Sequence, residues 1–343
     1  MQHGPRRPAK VTIHDVARVA GTSPSTVSRV LTGRANVRAQ KREAVLRAID
    51  ELGYAPNLLA RGLKTRLTYT LGLLINDIQS PFFSGAAKGA QDYAVRQGYG
   101  ILLCDTGEEL SLQKASLEML RAKKVDGVIF VPTSGAEDLL PPLWEEEANL
   151  VQIDRQIEGL PISSVVVNDE EASYQAVSHL IANGYRDIAI LAFEESVTTH
   201  NRRLQGYQRA LDEAGISLSR TLVWRGKTSS EEGYRLTRDL LRCKPRPDAL
   251  FATSSRLGVG ALRAIRDAGL VIGRDIGVVV FDDIPAFSLL QPSISAIRQP
   301  AYEIGWKAAE LLIRAIEAEE PLPPTQIVLP AELVIRESSA PRV

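Results

Sequence analysis

The segment that most constrains the fold of this chain runs from Thr12 to Thr32 and reads TIHDVARVAGTSPSTVSRVLT. It predicts a helix capped by Thr12 and a sharp stop at Gly21, where glycine tolerates a positive φ. A second helix should follow, capped by Ser23 with Pro24 at its first position. The inner face of the first helix is marked by apolar side chains near helical spacing, namely Val16, Val19 and Ala20.

The second predicted helix has two different faces. Its inner face carries Val27, Val30 and Leu31, and its outer face carries Ser25, Thr26, Ser28 and Arg29. A short, neutral-to-basic outer face suits a helix that lies in the major groove of DNA. On the helix pattern alone, an ordinary two-helix corner in a globular protein remains an alternative.

The distribution of charge favours the DNA-binding interpretation. Residues 1–66 contain 13 Lys and Arg against 4 Asp and Glu, a net charge of +9, whereas the rest of the chain has 28 against 37, a net charge of −9. The overall balance of 41 against 41 therefore hides a basic head on an acidic body. Neutralisation of phosphates by such a head supplies sequence-independent affinity for DNA.

A third helix and a linker complete the head. The third helix is indicated by the i, i+3, i+4, i+7 spacing of Val45, Ala48, Ile49 and Leu52, and it should stop at Gly53. Residues 56–66 follow, a segment too short to be a stable isolated helix and weakened further by Gly62. A marginal helix of this kind folds on binding.

From residue 70 onward the chain alternates short apolar runs with helical stretches. The runs predict buried parallel strands at 71–75, 100–104, 127–131 and 150–153, and the pattern recurs from Val165 through 188–191, 249–252 and 278–281. Two successive series of this kind predict two doubly wound α/β lobes. The cleft between them, at the carboxyl ends of the strands, is the default site for a small molecule.

The order of the head motifs resembles the lactose-repressor (LacI/GalR) family of bacterial transcription regulators. The motifs are Thr-Ile-x-Asp-Val-Ala, Gly-x-Ser, Thr-Val-Ser-Arg-Val-Leu and Gly53-Tyr54-x-Pro56-Asn57-x-x-Ala60-Arg61, and the likeness extends from about residue 11 to about 338. The resemblance implies an α/β chain with a three-helix helix-turn-helix head, a hinge helix and a two-lobed, periplasmic-binding-protein-like effector domain.

We therefore expect four regions in the chain. They are a disordered tail at 1–10, the DNA-binding head at 11–57, a hinge helix at 58–66 and an effector-binding and dimerisation domain at 67–343. Within the last, lobe 1 is expected at about 67–157 and 294–320, and lobe 2 at about 158–293 and 321–340.

The resemblance also implies which residues contact DNA. In the family the hinge becomes helical only on DNA and its leucine, here Leu63, wedges into the minor groove; an apolar side chain inserted at a base step kinks the duplex. The predicted DNA-binding residues are Thr12, Ser23, Pro24, Ser25, Thr26, Ser28, Arg29, Asn36, Asn57, Ala60 and Leu63.

The effector site is implied in the same way. Several positions match ones that the family directs into its cleft: the turn after the first strand, the pair Asp154-Arg155, and the single residues Arg203 and Asp282. The resemblance therefore implies that Arg203 and Asp282 clamp a small polar molecule. The full predicted set is Asn76, Phe82, Phe83, Asp154, Arg155, Arg203, Ser254 and Asp282.

The chain departs from the family pattern at three places. Thr253-Ser254-Ser255 replaces the usual Asn-Asp after a strand, Asn168-Asp169 inverts the common Asp-Asn, and Tyr185 stands where His is frequent. Because an amide and a carboxylate that often hold sugar hydroxyls are missing, we expect an effector with an anionic or mixed polar group rather than a plain neutral sugar.

Two other classes compete with a regulator. An enzyme would need a catalytic motif, but Gly258-x-Gly260 lacks the third glycine of a dinucleotide fingerprint and four scattered histidines form no metal cluster. A periplasmic solute-binding protein would need a signal peptide, and residues 1–10 are polar and proline-rich. Cys104 and Cys243 are isolated, as expected of buried thiols in a reducing compartment.

The sequence thus predicts a cytoplasmic repressor without enzymatic activity, cofactor or metal. Its partners would be a pseudo-palindromic double-stranded operator, a small-molecule effector and a second copy of the chain, and no apolar run approaches the roughly 20 residues of a membrane helix. The tail after Glu337 carries no heptad repeat to build a tetramer.

Overall fold

A computed structural model describes residues 11–31, 37–54, 67–139, 149–193, 197–218 and 222–342. The chain divides into two compact units, Met1–Thr68 and Tyr69–Val343, which are called here the head and the body. The expected tail at 1–10 and hinge at 58–66 lie outside the described residues. So do four of the predicted DNA-binding residues, Asn36, Asn57, Ala60 and Leu63.

The head contains three helices around a small apolar core. They are α1 (Ile13–Val19), α2 (Pro24–Leu31) and α3 (Ala39–Leu52). The fully buried part of the core is formed by Val16, Ala17, Val27, Val30, Val45 and Ala48. The prediction that Val19 belongs to the inner face is wrong, because its side chain is 46% exposed and Ala17 is buried instead. Ala20 packs against the core as expected.

The predicted starts and stops of the head helices are confirmed. Asp15 accepts hydrogen bonds from the backbone N–H of Thr12 at 3.0 Å and from its hydroxyl at 2.7 Å, which fixes the start of α1. Gly21 and Gly53 follow the first and third helices with φ of +61° and +57°, the left-handed region that glycine enters without strain.

The body alternates strands and helices along most of its length. Its strands are β1 (Thr70–Ile75), β2 (Gly100–Asp105), β3 (Gly127–Phe130), β4 (Leu150–Ile153), β5 (Ser163–Val167), β6 (Ile188–Phe193), β7 (Val223–Gly226), β8 (Ala249–Ala252), β9 (Gly277–Phe281), β10 (Ser295–Arg298), β11 (Gln326–Leu329) and β12 (Glu332–Val334). Its helices are α4 (Pro81–Arg96), α5 (Leu110–Ala122), α6 (Asp169–Ala182), α7 (Thr198–Glu213), α8 (Ser230–Leu240), α9 (Ser255–Asp267) and α10 (Ala301–Glu317).

The strands form two six-stranded sheets with matching strand orders. The first sheet has the order β11-β5-β4-β3-β1-β2 and the second has β12-β10-β9-β8-β6-β7. All described pairs are parallel except β10 with β12. Each of the first five strands of one lobe therefore has a counterpart in the other, β4 with β9 among them. The predicted fold class, a helical head and two doubly wound α/β lobes, is confirmed.

The sheets correct the expected lobe boundaries. β5 and β11 belong to the first sheet, although residues 158–293 and 321–340 were expected in lobe 2. β10 belongs to the second sheet, although 294–320 was expected in lobe 1. The error has a physical reason: an apolar run marks a buried strand, but it carries no information about which sheet the strand joins.

The chain crosses between the lobes after β5, after β10 and after β11. Two helices change lobe at these crossings. Helix α6 follows β5 of the first sheet but packs on strands of the second, namely β8, β9, β10 and β12. Helix α10 follows β10 of the second sheet but packs on strands of the first, namely β3, β4 and β5. Each lobe thus contains a helix that follows a strand of the other.

The glycines that resemble part of a dinucleotide fingerprint serve helix packing. A Cβ on Gly260 would collide with the carbonyl oxygen of Ser230, at the place where α9 crosses α8. A Cβ on Gly258 would collide with the side chain of Val280 in β9. These two glycines are therefore needed for close approach between elements.

Candidate functional site

The outward residues of α2 form a polar surface on the head. Ser25 and Arg29 are exposed, and Thr26 and Ser28 are half-buried. The Ser23 hydroxyl accepts the Thr26 backbone N–H at 3.3 Å and lies 3.0 Å from the Thr26 hydroxyl, so it caps α2 as predicted. Thr12 and Ser23 are both used in caps, and Ser25 and Arg29 are the more outward members of the predicted set.

The cleft of the body lies at the strand ends of both lobes. Seven of the eight predicted effector residues line it: Phe82, Phe83, Asp154, Arg155, Arg203, Ser254 and Asp282. Residues outside the predicted set line it as well, namely Asp77, Ser80, Glu108, Phe193, Thr199, His200, Thr228, Ser255, Arg256 and Gln299.

Arg203 is held by groups behind the cleft. Its Nε donates to Asp169 Oδ1 at 2.7 Å, and its Nη1 donates to the carbonyl oxygen of Thr253 at 2.7 Å. The guanidinium carbon lies 3.6 Å from the centre of the Phe281 ring. Burial raises the pKa of Asp169 and Arg203 opposes that rise. The charge of Arg203 is thus balanced by Asp169, and the expected clamp of Arg203 and Asp282 on a ligand stays a prediction.

Asp154 and Asp282 occupy equivalent positions in the two lobes. Asp154 follows β4 and Asp282 follows β9, and both backbones are in the left-handed region, with φ of +65° and +73°. Asp154 Oδ2 lies 3.6 Å from Arg155 Nε. Asp282 Oδ1 accepts a hydrogen bond from Gln299 Nε2 at 2.6 Å. A non-glycine residue in this conformation is uncommon and concentrates at functional sites.

Burial dominates the ionisation of Asp154. It raises the pKa of this carboxyl from 3.8 to about 7, while Arg155 and Arg203 oppose the rise and Asp169 and Asp282 add to it. The cleft therefore places Asp154 where a further positive charge would be favourable.

Arg155 forms a bidentate ion pair inside the first lobe. Its Nη1 and Nη2 each donate to one carboxylate oxygen of Glu108 at 2.7 Å. Planar two-point pairing is the strong form of the arginine–carboxylate interaction. The remaining donor, Nε, is buried and makes no hydrogen bond within the described residues.

An ion pair between Asp77 and Arg256 connects the two lobes at the cleft. Arg256, at the start of α9, donates to the carboxylate of Asp77, which follows β1. Arg256 also donates to the carbonyl oxygen of Thr228 at 3.5 Å. Because Asp77 and Arg256 belong to opposite lobes, this pair can form only when the two lobes are close together at the cleft.

His200 contributes an uncharged ring. It stacks on Phe193 with the ring centres 3.9 Å apart. Burial, together with Arg203 and Arg155, lowers the pKa of His200 well below its ordinary value, so the imidazole is neutral near pH 7. Its Nδ1 makes no hydrogen bond within the described residues.

The remaining predicted residues divide by their surroundings. Phe82 and Phe83 meet edge to face with ring centres 5.0 Å apart, and both line the cleft while packing against the core. Ser254 uses its hydroxyl to accept the Leu257 N–H at 3.3 Å and caps α9. Asn76 does not line the cleft; it is buried behind it and its Oδ1 accepts a hydrogen bond from Thr106 at 3.0 Å.

Two departures from the family pattern have structural roles. Asn168 Oδ1 accepts the Ala331 backbone N–H at 2.7 Å, at one of the crossings between lobes. The Tyr185 hydroxyl donates to the carbonyl oxygen of Ala340 at 3.0 Å and fastens the end of the chain to lobe 2. Neither residue lines the cleft.

Sequence reasoning found the site residues at the strand ends but missed most of the side chains that bind or surround them. In the sequence, Asp169 has no signal beyond its place in an inverted motif, and Glu108 and Gln299 have none. His200 was one of only four histidines and lies near Arg203 in sequence, which was the one available hint. Across the described ranges, no group of three or more His, Cys, Asp or Glu side chains is arranged to hold a metal ion. No described helix is long and apolar enough to cross a membrane.

Two family models match the chain, one within the head and one within the body. Residues 12–57 match the family described as bacterial regulatory proteins, lacI family, and residues 177–339 match the periplasmic binding protein-like domain. The chain is 33% identical to the HTH-type transcriptional regulator RegA of Clostridium saccharobutylicum, covering 96% of this chain and 99% of RegA. It is 35% identical to a ribose operon repressor of Halalkalibacterium halodurans, covering 96% and 97%.

Solved structures show the same similarity. The lac repressor dimer bound to operator and the anti-inducer ONPF superposes with a TM-score of 0.80 at 26% identity, covering 97% of this chain and all of that one. A complex of the transcriptional regulator CelR with cellobiose superposes with a TM-score of 0.72 at 31% identity, covering 96% and 100%.

Proposed function

Because this chain belongs to the lacI family of bacterial regulatory proteins, a family of DNA-binding transcriptional regulators, we propose that it represses its target genes until a small molecule in the body cleft changes its affinity for operator DNA. The relatives are regulators and repressors rather than enzymes, which sets the enzyme alternative aside. The lacI-family head sets aside a solute-binding protein.

The observation that carries the proposal is the outer face of α2 on a basic head. Ser25 and Arg29 lie exposed on the second helix of a helix-turn-helix, and this arrangement suits insertion into a major groove. We assign base reading to these two residues, positioning on the phosphates to Thr12, Ser23, Thr26 and Ser28, and apolar contact in the groove to Pro24, which has no N–H to donate. The hinge at 58–66, with Leu63 as its minor-groove wedge, belongs to the same proposal.

The cleft supplies the regulatory half of the function. Its walls come from both lobes, so a ligand bound there contacts one lobe through Asp154 and the other through Asp282. A ligand that binds one arrangement of the lobes better than another shifts the population toward it. We propose that this shift governs operator binding, with Phe82, Phe83, Arg155, Arg203 and Ser254 completing the wall.

A second copy of the chain completes the operator-binding form. Large apolar side chains are exposed on both lobes of the body, including Val95, Leu103 and Leu112 on the first and Val259, Leu289 and Leu290 on the second. Leu289 is 81% exposed, which is unfavourable in water unless a partner covers it. We propose that these side chains lie in a two-fold interface and that the dimer reads a pseudo-palindromic site in the cytoplasm.

Base reading by Arg29 is tested with matched arginine variants. A two-point contact from arginine to guanine contributes about 1 to 3 kcal/mol of discrimination, so Arg29→Ala should lower operator affinity roughly 5- to 150-fold. Arg47, exposed on α3, is the control. Fluorescence anisotropy on a selected operator and on random DNA should show a loss for Arg29→Ala on operator alone. An equal loss on both DNAs would assign Arg29 to phosphate contact.

A further inference from the structure

The charges of the cleft are not balanced. Three arginines line it, and each has a carboxylate of its own: Arg155 with Glu108, Arg203 with Asp169, and Arg256 with Asp77. Among the cleft-lining residues that the structure describes, two carboxylates are left without an arginine of their own. They are Asp154, which only shares Arg155 at 3.6 Å, and Asp282, whose described partner is an amide.

This balance argues against an anionic effector. An anion bound by Arg203 or Arg155 would have to compete with a carboxylate already held at 2.7 Å. It would also lie beside Asp154 and Asp282, where like charges repel in a poorly solvated cleft. The expectation of an anionic group for Arg203, drawn from the sequence, is therefore not supported by the pairing.

Neighbouring groups call for hydrogen-bond donors. His200 is 6% exposed and neutral; its Nδ1 makes no hydrogen bond within the described residues and accepts one in the tautomer that carries the proton on Nε2. Gln299 gives its Nε2 to Asp282, and its Oε1 makes none there either. Both side chains line the cleft. The rings of Phe82 and Phe83 line it as well, and aromatic faces attract cations.

We propose that the effector carries a protonated amino group, which lies between the carboxylates of Asp154 and Asp282. The proposal rests on the proposed function and specifies the chemical class of its effector. A neutral polyol would offer donors but would leave the carboxylates of Asp154 and Asp282 without a counter-charge, whereas an ammonium group offers both donors and charge. The raised pKa of Asp154, about 7, agrees with a site that favours added positive charge. One carboxylate comes from each lobe, so the same ammonium group would draw the lobes together.

The test compares probes that differ in charge on one scaffold. Full-length protein is titrated calorimetrically at pH 7 with D-glucosamine, D-glucose and D-glucuronate, and separately with putrescine, 1,4-butanediol and succinate. We expect an amine to bind at least tenfold more tightly than the neutral and anionic members of its series, since hydrogen bonds to charged groups are the stronger ones. Asp154→Asn and Asp282→Asn should each weaken amine binding roughly tenfold or more.

The control variant is Asp212→Asn, which removes an exposed carboxylate of α7 away from the cleft and should leave amine binding unchanged. The proposal is overturned if neither amine binds, if a neutral or anionic probe binds as tightly as its amine, or if the two cleft variants keep full affinity. Operator binding is measured on the same samples. A neutral sugar that binds and changes operator affinity would overturn the amine class while leaving the proposed function in place.

Discussion

Replacing the Asp154 carboxylate by an amide should stabilise the protein at high pH. Asp154→Asn keeps the size of the side chain and its tolerance of the left-handed backbone, but it removes a buried charge. Raising the pKa from 3.8 to about 7 corresponds to roughly 4 kcal/mol of folding free energy that the ionised form costs. For a protein of this size the gain should raise the melting temperature on the order of 5–10 °C.

The effect must depend on pH in a defined direction. Between about pH 4 and pH 7 the folded protein holds a proton on Asp154 that the unfolded chain has released, so stability falls as the pH rises through this range. Asn does not titrate. The gain from Asp154→Asn should therefore be absent near pH 4 and complete above about pH 8.

Thermal unfolding of both proteins from pH 4 to pH 8 checks this expectation. Asp283→Asn is the matched control with the opposite sign: burial alone would raise the pKa of Asp283, but hydrogen bonds from Arg336 and Arg298 lower it. That variant should lose stability, and lose more at pH 8 than at pH 4. A difference between Asp154→Asn and wild type that does not change with pH would refute the reasoning.

Two more substitutions follow from the ion pairs of the cleft. Arg203→Ala leaves Asp169 buried without its partner and should lower the free energy of unfolding in urea by about 3 to 5 kcal/mol. Adding Asp169→Ala should restore part of this loss, and no recovery in the double variant would contradict the pairing. Asp77→Asn removes a partly exposed pair, so it should change stability by no more than about 1 kcal/mol. It should nevertheless open the lobes and enlarge the radius of gyration in small-angle scattering, and an unchanged radius would show that Arg256 does not hold them.

The head could be predicted from sequence because its determinants are local. Caps and stops act within three or four residues, so Thr12, Ser23, Gly21 and Gly53 mark the helices correctly. The apolar side chain of Val19 predicts an inward position, but helical geometry places Ala17 on the buried face. In that helix the angular position of a side chain outweighs its hydrophobicity.

The cleft was only partly predictable for a different reason. Asp154 and Asp282 follow strands whose carboxyl ends meet at one edge of a doubly wound sheet, and the resemblance to the LacI/GalR family implies that both lie in the cleft with Arg203. Which carboxylate pairs with which arginine depends on packing between distant segments. Asp169 precedes Arg203 by 34 residues and Glu108 precedes Arg155 by 47. No periodicity in the sequence connects such pairs. The charge balance of the cleft depends on these pairs and can be read only from the structure.

The crossings between the lobes have a consequence for how the chain is made. The first sheet begins with β1 at residue 70 and is completed only by β11, which pairs with β5 and ends at residue 329. Until that point has left the ribosome, the edge of β5 lacks its neighbour, and an unpaired edge can recruit another strand. α10 and β11, which both serve the first lobe, emerge after the whole second series of parallel strands. The two sheets are completed within a few residues of each other, by β11 and then β12, and a nascent chain stalled before residue 326 would expose an open edge to chaperones or to a neighbouring copy.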